Sequence, residues 1–329
     1  MQITNGTLVN ATKISVLVFF YNERDSLPVL RERVEKALFD SSFDFEVILV
    51  DDASVDGSDL FARNWKDVRY RTRYIKFSRN FGSHAAITAG LQHCTGDCAV
   101  IMAADLQDPP ETIPQLVEEY RKGNDVVWAC RTERLGESLF TKLAAGFYYQ
   151  TMRRMGLPNM PPKGADFLLV SRKVIDAVNQ HPEKHTSVLA MILWMGFKQS
   201  HIEYVKQARH AGVSKWTLSK KIKLFIDSIV SFSYVPIRMT SLFGLLLATA
   251  GFVYAIVVFV SRLAGWVTTG TGFAALMTVL LVGQGTILLM LGILGEYIWR
   301  AFDESRGRPR FIIDEVVDHD SLSNNSLLK

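Results

Sequence analysis

Residues 101–111 read IMAADLQDPPE. An apolar run stops at Asp105, and Gln107, Asp108 and the Pro109-Pro110 pair follow at once, so carboxylate and amide oxygens gather where a strand opens into a loop. Such oxygens suit a hard divalent cation. Magnesium keeps several waters, takes about one or two protein carboxylates and fills its remaining positions with substrate phosphates. The stretch therefore points to chemistry on a nucleotide diphosphate. The same residues also suit an ordinary polar turn at a strand end, so the sequence around them has to decide.

Outward from this stretch, apolar and β-branched runs at 14–20, 45–50, 74–77, 99–102 and 126–129 alternate with helical periodicity at 27–38 and 113–120. Strands separated by helices predict an α/β domain with a mostly parallel sheet, in which ligands bind beyond the carboxyl ends of the strands. Polar residues stand at three of those ends: Tyr21-Asn22-Glu23, Asp51-Asp52-Ala53-Ser54 and Asp105-Leu106-Gln107. Asp51 or Asp52 is placed to accept hydrogen bonds from a base or ribose, and Asp105 to hold a metal beneath a diphosphate. Capping and turn formation by Asp-Asp and Asp56-Gly57-Ser58 is the plainer alternative. Arg79-Asn80-Phe81-Gly82, followed by small residues as far as Gly90, predicts a closely packed helix near the same cleft. Neither a Gly-x-Gly-x-x-Gly fingerprint nor a Gly-Lys-Ser/Thr phosphate loop occurs, which argues against dehydrogenase and P-loop readings.

At 329 residues and 48% hydrophobic content, the chain is long enough for a catalytic core and more. The surplus lies at 239–260 and 273–294, two runs almost free of charge and close to the ~20 residues that cross a bilayer. Lys215, Lys220, Lys221, Lys223 and Arg238 precede the first run. Arg300, Arg306, Arg308 and Arg310 follow the second, and Arg262 alone lies between them. This bias predicts a multi-pass protein of the plasma (inner) membrane with both termini cytoplasmic. The net charge of +4 is modest and its basic residues cluster beside the membrane, so anionic lipid is the expected partner and nucleic acid is not. Cys94, Cys98 and Cys130 lack paired spacing and are expected to be buried free thiols.

Taken together, FFYNE, ILVDDASVDGS, SRNFGSHAAITAGL, ADLQDPPE, RTERLGES, GADFLLVSR, RHAGVSKW and LGILGEYIWRAFDESRGRPRFII resemble the membrane-anchored polyprenyl-phosphate glycosyltransferases of glycosyltransferase family two. That group includes bactoprenol glucosyltransferases and, more distantly, dolichol-phosphate mannose synthases. The resemblance runs from about residue 14 to 313. It implies a GT-A type nucleotide-sugar domain at 1–210, a basic acceptor loop and juxtamembrane amphipathic helix at 211–236, two transmembrane helices at 237–300, and a cytoplasmic tail with a short strand at 301–329. It further implies Asp52 near the nucleotide; Tyr21, Asn22, Glu23, Asp51 and Asn80, from the strand ends and the loop before the small-residue helix, are expected in the same nucleotide-sugar site. Asp105 and Gln107 would lie at Mg2+ or Mn2+ and the diphosphate, Asp166 in an acceptor-side loop, and Arg209, Ser214 and Lys215 around phosphate. Arg131, read from the sequence itself, is a further candidate for the acceptor phosphate, with a solvated loop after the strand as the equal alternative. Many relatives carry Asp-x-Asp where this chain has Ala103-Ala104-Asp105, leaving the metal one carboxylate plus Gln107. Ser83-His84 stands where relatives often have Lys-Glu.

The implied reaction is inverting transfer of a hexose, glucose from UDP-glucose first, to undecaprenyl phosphate or a similar polyprenyl phosphate. GDP-mannose, UDP-N-acetylglucosamine and UDP-aminoarabinose are the alternative donors. A phosphate monoester with a second pKa of about 6 is largely dianionic at neutral pH and needs little help from a base. The main tasks are then alignment and stabilisation of the leaving diphosphate, with Asp105, Asp166, Arg209 and Lys215 as the catalytic set. Asp166 is expected to orient rather than abstract a proton, because a carboxylate beside positive charge is a poor base. A homo-oligomer is expected, and small residues such as Gly292 and Gly295 permit close helix packing within or between protomers. A processive synthase is disfavoured by the number of spans and the lack of Gln-x-x-Arg-Trp, and a channel by spans without charged residues. An inactive nucleotide-sugar-binding scaffold is the competing class.

Overall fold

The protein is described from a computed structural model, which covers residues 12–41, 43–132, 166–181, 183, 187–207, 235–265 and 272–320, with isolated positions at 146, 150, 153 and 160. Two compact units result: Met1–Phe225 with Pro309–Lys329, and Ile226–Arg308. In the first unit β1 (Lys13–Phe20), α1 (Ser26–Phe39), β2 (Asp44–Asp51), α2 (Ser58–Arg63), β3 (Arg71–Phe77), α3 (Ser83–His93) and β4 (Cys98–Ala103) alternate. A short 3-10 turn, α4 (Ile113–Arg121), β5 (Val126–Arg131), β6 (Phe167–Ser171), α5 (Arg172–Gln180), α6 (Val188–Trp194) and β7 (Gln199–Tyr204) follow, and β8 (Ile313–His319) comes from the C-terminal segment.

The strands form one sheet in the order β7-β5-β6-β4-β1-β2-β3-β8. β4, β1, β2 and β3 are mutually parallel, and β5 is parallel to β7. β6 runs antiparallel to β4 and β5, and β8 antiparallel to β3. β1 is central, and Ile14, Val16, Leu17 and Val18 are fully buried, the continuous apolar signature of a strand covered on both faces. Alternation puts Ile14, Val16, Val18 and Phe20 in one core with Leu27, Leu30, Val34 and Leu38, a helical stripe along α1. On the other face α3 lies directly on β1. A Cβ built at Gly90 would stand 2.3 Å from Leu17 Cδ1, so the approach depends on glycine.

β6 and β7 are additions to the strands legible in the sequence. β6 is only FLLVS and runs straight into α5, while β7 (QSHIEY) is mostly half-exposed. Cys94, Cys98 and Cys130 are buried thiols outside any disulfide, and burial pushes those of Cys94 and Cys98 up to about 12, which keeps the pair inert.

The second unit contains α7 (Val235–Leu263) and α8 (Gly272–Ser305). Ile237–Ser261 and Val282–Ser305 are long and apolar enough to cross a membrane. At about 1.5 Å per residue each exceeds a hydrocarbon core of about 30 Å if α7 and α8 are taken whole. Ser and Thr hydroxyls are satisfied within the helices, as in Thr249 Oγ1 to the Leu245 carbonyl and Thr286 Oγ1 to that of Val282, both 2.8 Å. Gly244 faces Met290: a Cβ there would lie 2.8 Å from Met290 Cε.

Candidate active site

Strand register brings the site together. Phe20 of β1 stands opposite Asp51 of β2, and Phe19 opposite Ala103 of β4, so residues 21–23, 52–54 and 104–107 leave the sheet at neighbouring points. Each exit bends through a non-glycine residue in the left-handed region: Asn22 (φ 55°), Ala53 (φ 63°) and Leu106 (φ 60°). Asparagine tolerates this conformation, whereas alanine and leucine each give up roughly 1–2 kcal/mol to hold it. Strained turns of this kind cluster at ligand sites, where surrounding bonds over-determine them. Here the Asn22 N–H donates to Ser54 Oγ (2.9 Å), the Val55 N–H to Asn22 Oδ1 (2.9 Å) and the Glu23 N–H to Ser58 Oγ (2.8 Å).

The two adjacent aspartates have different surroundings. Asp51 is fully enclosed; its Oδ1 accepts from the Ser54 N–H (2.7 Å) and its Oδ2 from the Tyr74 hydroxyl (2.9 Å). Burial pushes its carboxyl above the ordinary range, opposed by these hydrogen bonds. Asp51 holds the turn through these bonds. Asp52 accepts from the Phe81 N–H (2.6 Å) and the Gly82 N–H (2.9 Å), pinning the start of α3 to the end of β2. Gly82 itself has φ 93°.

A second cluster forms at the ends of β4, β5 and β7. Asp105 is buried, and its Oδ1 accepts from the Gln107 N–H at 3.2 Å. The Gln107 carbonyl takes the Gln207 N–H at 3.0 Å, which ties the segment after β7 to the loop after β4. From α1, Arg33 clasps Glu111 through Nε (2.8 Å) and Nη2 (2.6 Å) and reaches Gln207 Oε1 (2.9 Å), bracing the same junction. Arg131 at the end of β5 pairs with Asp166 at 3.0 Å. Asp166 reaches this edge because β6 is antiparallel, so the residue before the strand lies beside the residues after its neighbours.

Asp108 and Tyr204 complete the cluster. The Tyr204 hydroxyl donates to Asp108 Oδ1. Burial pushes the Asp108 carboxyl up, opposed by Lys206 and the Tyr204 hydrogen bond and reinforced by Asp166 and Asp105. Burial pulls the Lys206 ammonium down, opposed by Asp108, Asp166 and Asp105 and reinforced by Arg131. These five charged groups share one field, a hallmark of functional clefts as well as of some ion-pair networks.

Of the other residues singled out from sequence, Tyr21, Asn22, Glu23 and Gln107 are half-buried and Asn80 is exposed. Arg209, Ser214 and Lys215 lie outside the described residues. Lys206 and Tyr204 join the site without any motif to announce them, whereas Asp108 lies within the 101–111 stretch. Among the described residues no group of three His, Cys, Asp or Glu side chains forms a metal site. Asp105 with Gln107 still fits a cation that arrives with a diphosphate, because such an ion needs only about one or two protein carboxylates.

A glycosyl transferase family 2 model matches residues 15–178. A glycosyltransferase of Bacillus subtilis (strain 168), YkcC, is 37% identical over 301 residues, covering 92% of this chain and 93% of that one. The bactoprenol glucosyl transferase of Shigella phage SfV is 31% identical over 301 residues, covering 92% and 98%. Among solved structures, glucosyl-3-phosphoglycerate synthase from Mycobacterium tuberculosis, in complex with Mn2+, UDP-glucose and phosphoglyceric acid, is similar with a TM-score of 0.47 and 17% identity over 67% of this chain and 79% of that one. This chain belongs to glycosyltransferase family 2. Its catalytic unit is an α/β domain of the GT-A type, followed in sequence by two long apolar helices.

Proposed function

We propose that the protein transfers a hexose, glucose from UDP-glucose, to the phosphate of a membrane polyprenyl phosphate, with inversion, at the cytoplasmic face of the plasma membrane. The observation that carries this reading is the single charged cluster of Asp105, Asp108, Asp166, Arg131 and Lys206 at the carboxyl edge of the sheet. Support comes from relatives named as bactoprenol glucosyl transferases, which align over more than nine-tenths of the chain. Positive residues flanking the two apolar helices favour the cytoplasmic orientation.

The residues divide the work. The bonded turns at Asn22 and Ser54, with the loop pinned by Asp52, form the nucleotide end. Asp105 and Gln107 would hold Mg2+ or Mn2+, which lowers the charge on the departing diphosphate. Arg131 and Lys206 contribute positive charge for phosphate oxygens, Arg131 with the fork geometry that suits them. Asp166 orients Arg131 through their 3.0 Å pair. The acceptor phosphate is already largely dianionic, so alignment with the anomeric carbon and support of the leaving group account for the rate. One direct displacement converts an α-linked donor into a β-linked lipid phosphate.

The test is transfer of radiolabel from UDP-glucose, GDP-mannose, UDP-N-acetylglucosamine and UDP-aminoarabinose to undecaprenyl phosphate in detergent, with and without EDTA. Label in the lipid fraction from UDP-glucose, abolished by EDTA, is expected. Label from another donor would replace the sugar. Nucleotide binding without transfer from any donor would put the inactive scaffold in place of the enzyme.

A further inference from the structure

His84 is buried at its functional atoms without being satisfied there. It is the second residue of α3, two positions after Gly82, whose N–H is held by Asp52. The residue as a whole is half-buried, yet Nδ1 and Nε2 are both sealed from solvent and neither has a hydrogen-bond partner among the described residues. Leaving a buried polar atom unbonded costs about 1–3 kcal/mol, and native proteins rarely leave two on one ring without a reason.

The surroundings define what is missing. The charges that reach the ring are Arg310, itself held on the Glu183 carbonyl at 2.8 Å, and Asp166, the partner of Arg131. Burial, with Arg310 acting in the same sense and Asp166 against it, brings the imidazole down to about 4, so it is neutral near pH 7. A neutral imidazole has one N–H to donate and one lone pair to accept. A phosphate oxygen only accepts, so it can meet the N–H nitrogen but never the one that carries the lone pair. A hydroxyl both donates and accepts, and a sugar presents several at fixed angles.

We propose that His84 hydrogen-bonds a hydroxyl of the donor sugar, and thereby helps select which hexose is transferred. The assignment rests on the nucleotide-sugar reading given above. His84 is then a specificity residue brought to the site by the Asp52 clamp on the start of α3, while nucleotide and diphosphate are held by other groups.

The experiment measures calorimetric affinities of the full-length protein in detergent for UDP, UDP-glucose and the set of monodeoxy UDP-glucoses. Wild type, His84→Ala and His84→Gln are compared. In wild type one deoxy analogue should bind roughly tenfold or more weakly than UDP-glucose, the scale of one lost hydrogen bond in a buried site. In His84→Ala that penalty should vanish while UDP binding stays unchanged, which also reports an intact nucleotide end. His84→Gln keeps a donor and an acceptor and should retain part of the penalty. Identical deoxy penalties in wild type and His84→Ala would overturn the assignment and leave the donor reading standing. Wild type that binds UDP but gains nothing from the sugar, or that binds no UDP-glucose, would overturn the donor reading and His84 with it.

Discussion

The two edges of the sheet handle buried polar groups in opposite ways. At the amino edge Glu46, only 2% exposed, accepts from Ser15 Oγ (2.6 Å), the Thr95 N–H (2.6 Å) and Thr95 Oγ1 (2.7 Å), with Lys13 Nζ 3.9 Å away. Burial would raise its carboxyl, but the hydrogen bonds from Ser15 and Thr95, aided by Lys13, hold it below the usual range. At the carboxyl edge burial prevails instead: Asp108 is pushed up, Lys206 pulled down, and both nitrogens of His84 stand unbonded among the described residues. A polar group whose bonds are all made within the fold stabilises it. One that the fold buries without fully satisfying has its stabilisation left to a ligand, and three strained turns at that same edge point the same way.

This contrast can be broken most sharply at Asp105. Asp105→Asn keeps the size of the side chain and removes the charge; we expect transfer to fall by about a hundred- to a thousandfold, the scale of a lost transition-state contact, with Tm unchanged. A variant with full transfer would remove Asp105 from the metal and diphosphate. Next in size is Lys206→Met, which preserves the aliphatic stem. Transfer should drop roughly tenfold to a hundredfold, while thermal stability holds or rises because a half-buried ammonium, disfavoured by desolvation, has been replaced by an apolar chain. An unaffected rate would make the cluster a structural ion network.

The smallest effect on turnover, and the largest on folding, is expected at the other edge. Glu46→Gln weakens the charge-assisted bonds and should cost about 2 kcal/mol of stability at pH 7 with the rate per folded molecule unchanged. Because the folded carboxyl is held low, its contribution is present above the ordinary value of 4.5 and lost as pH falls through the lower folded value. Urea unfolding of the two proteins should therefore converge in acid. A gap that persists unchanged below that range would show that packing, not charge, supplies the difference.

Much of this organisation is legible in the amino-acid order. Apolar β-branched runs mark β1 to β5, and the polar triplets that follow β1, β2 and β4 mark the site edge, because parallel strands collect their carboxyl ends together. Residues after β7 were harder to find. QSHIEY alternates too weakly to read as a sheet strand, so nothing marks Lys206 as the residue that follows one. Asp166 precedes a strand, and a search of strand ends passes it by; it was legible only through family resemblance. Asp51 and Asp52 are indistinguishable in sequence, yet pleat sends one inward to Tyr74 and leaves the other to clamp Phe81 and Gly82.

Local sequence thus determined which segments are strands, which helices bury an apolar stripe, and where two runs long enough to cross a bilayer lie, since periodicity and length depend on near neighbours alone. Tertiary structure decided strand order and direction. The reversed course of β6 puts Asp166 against Arg131, the parallel pairing of β7 with β5 brings Lys206 to Asp108, and the antiparallel pairing of β8 with β3 adds the last strand through Arg73 and Asp318, 245 positions apart. Those juxtapositions arise from which edges meet and how deeply they are buried, and it is burial that turns a common lysine, aspartate or histidine into a group with unmet electrostatic demand.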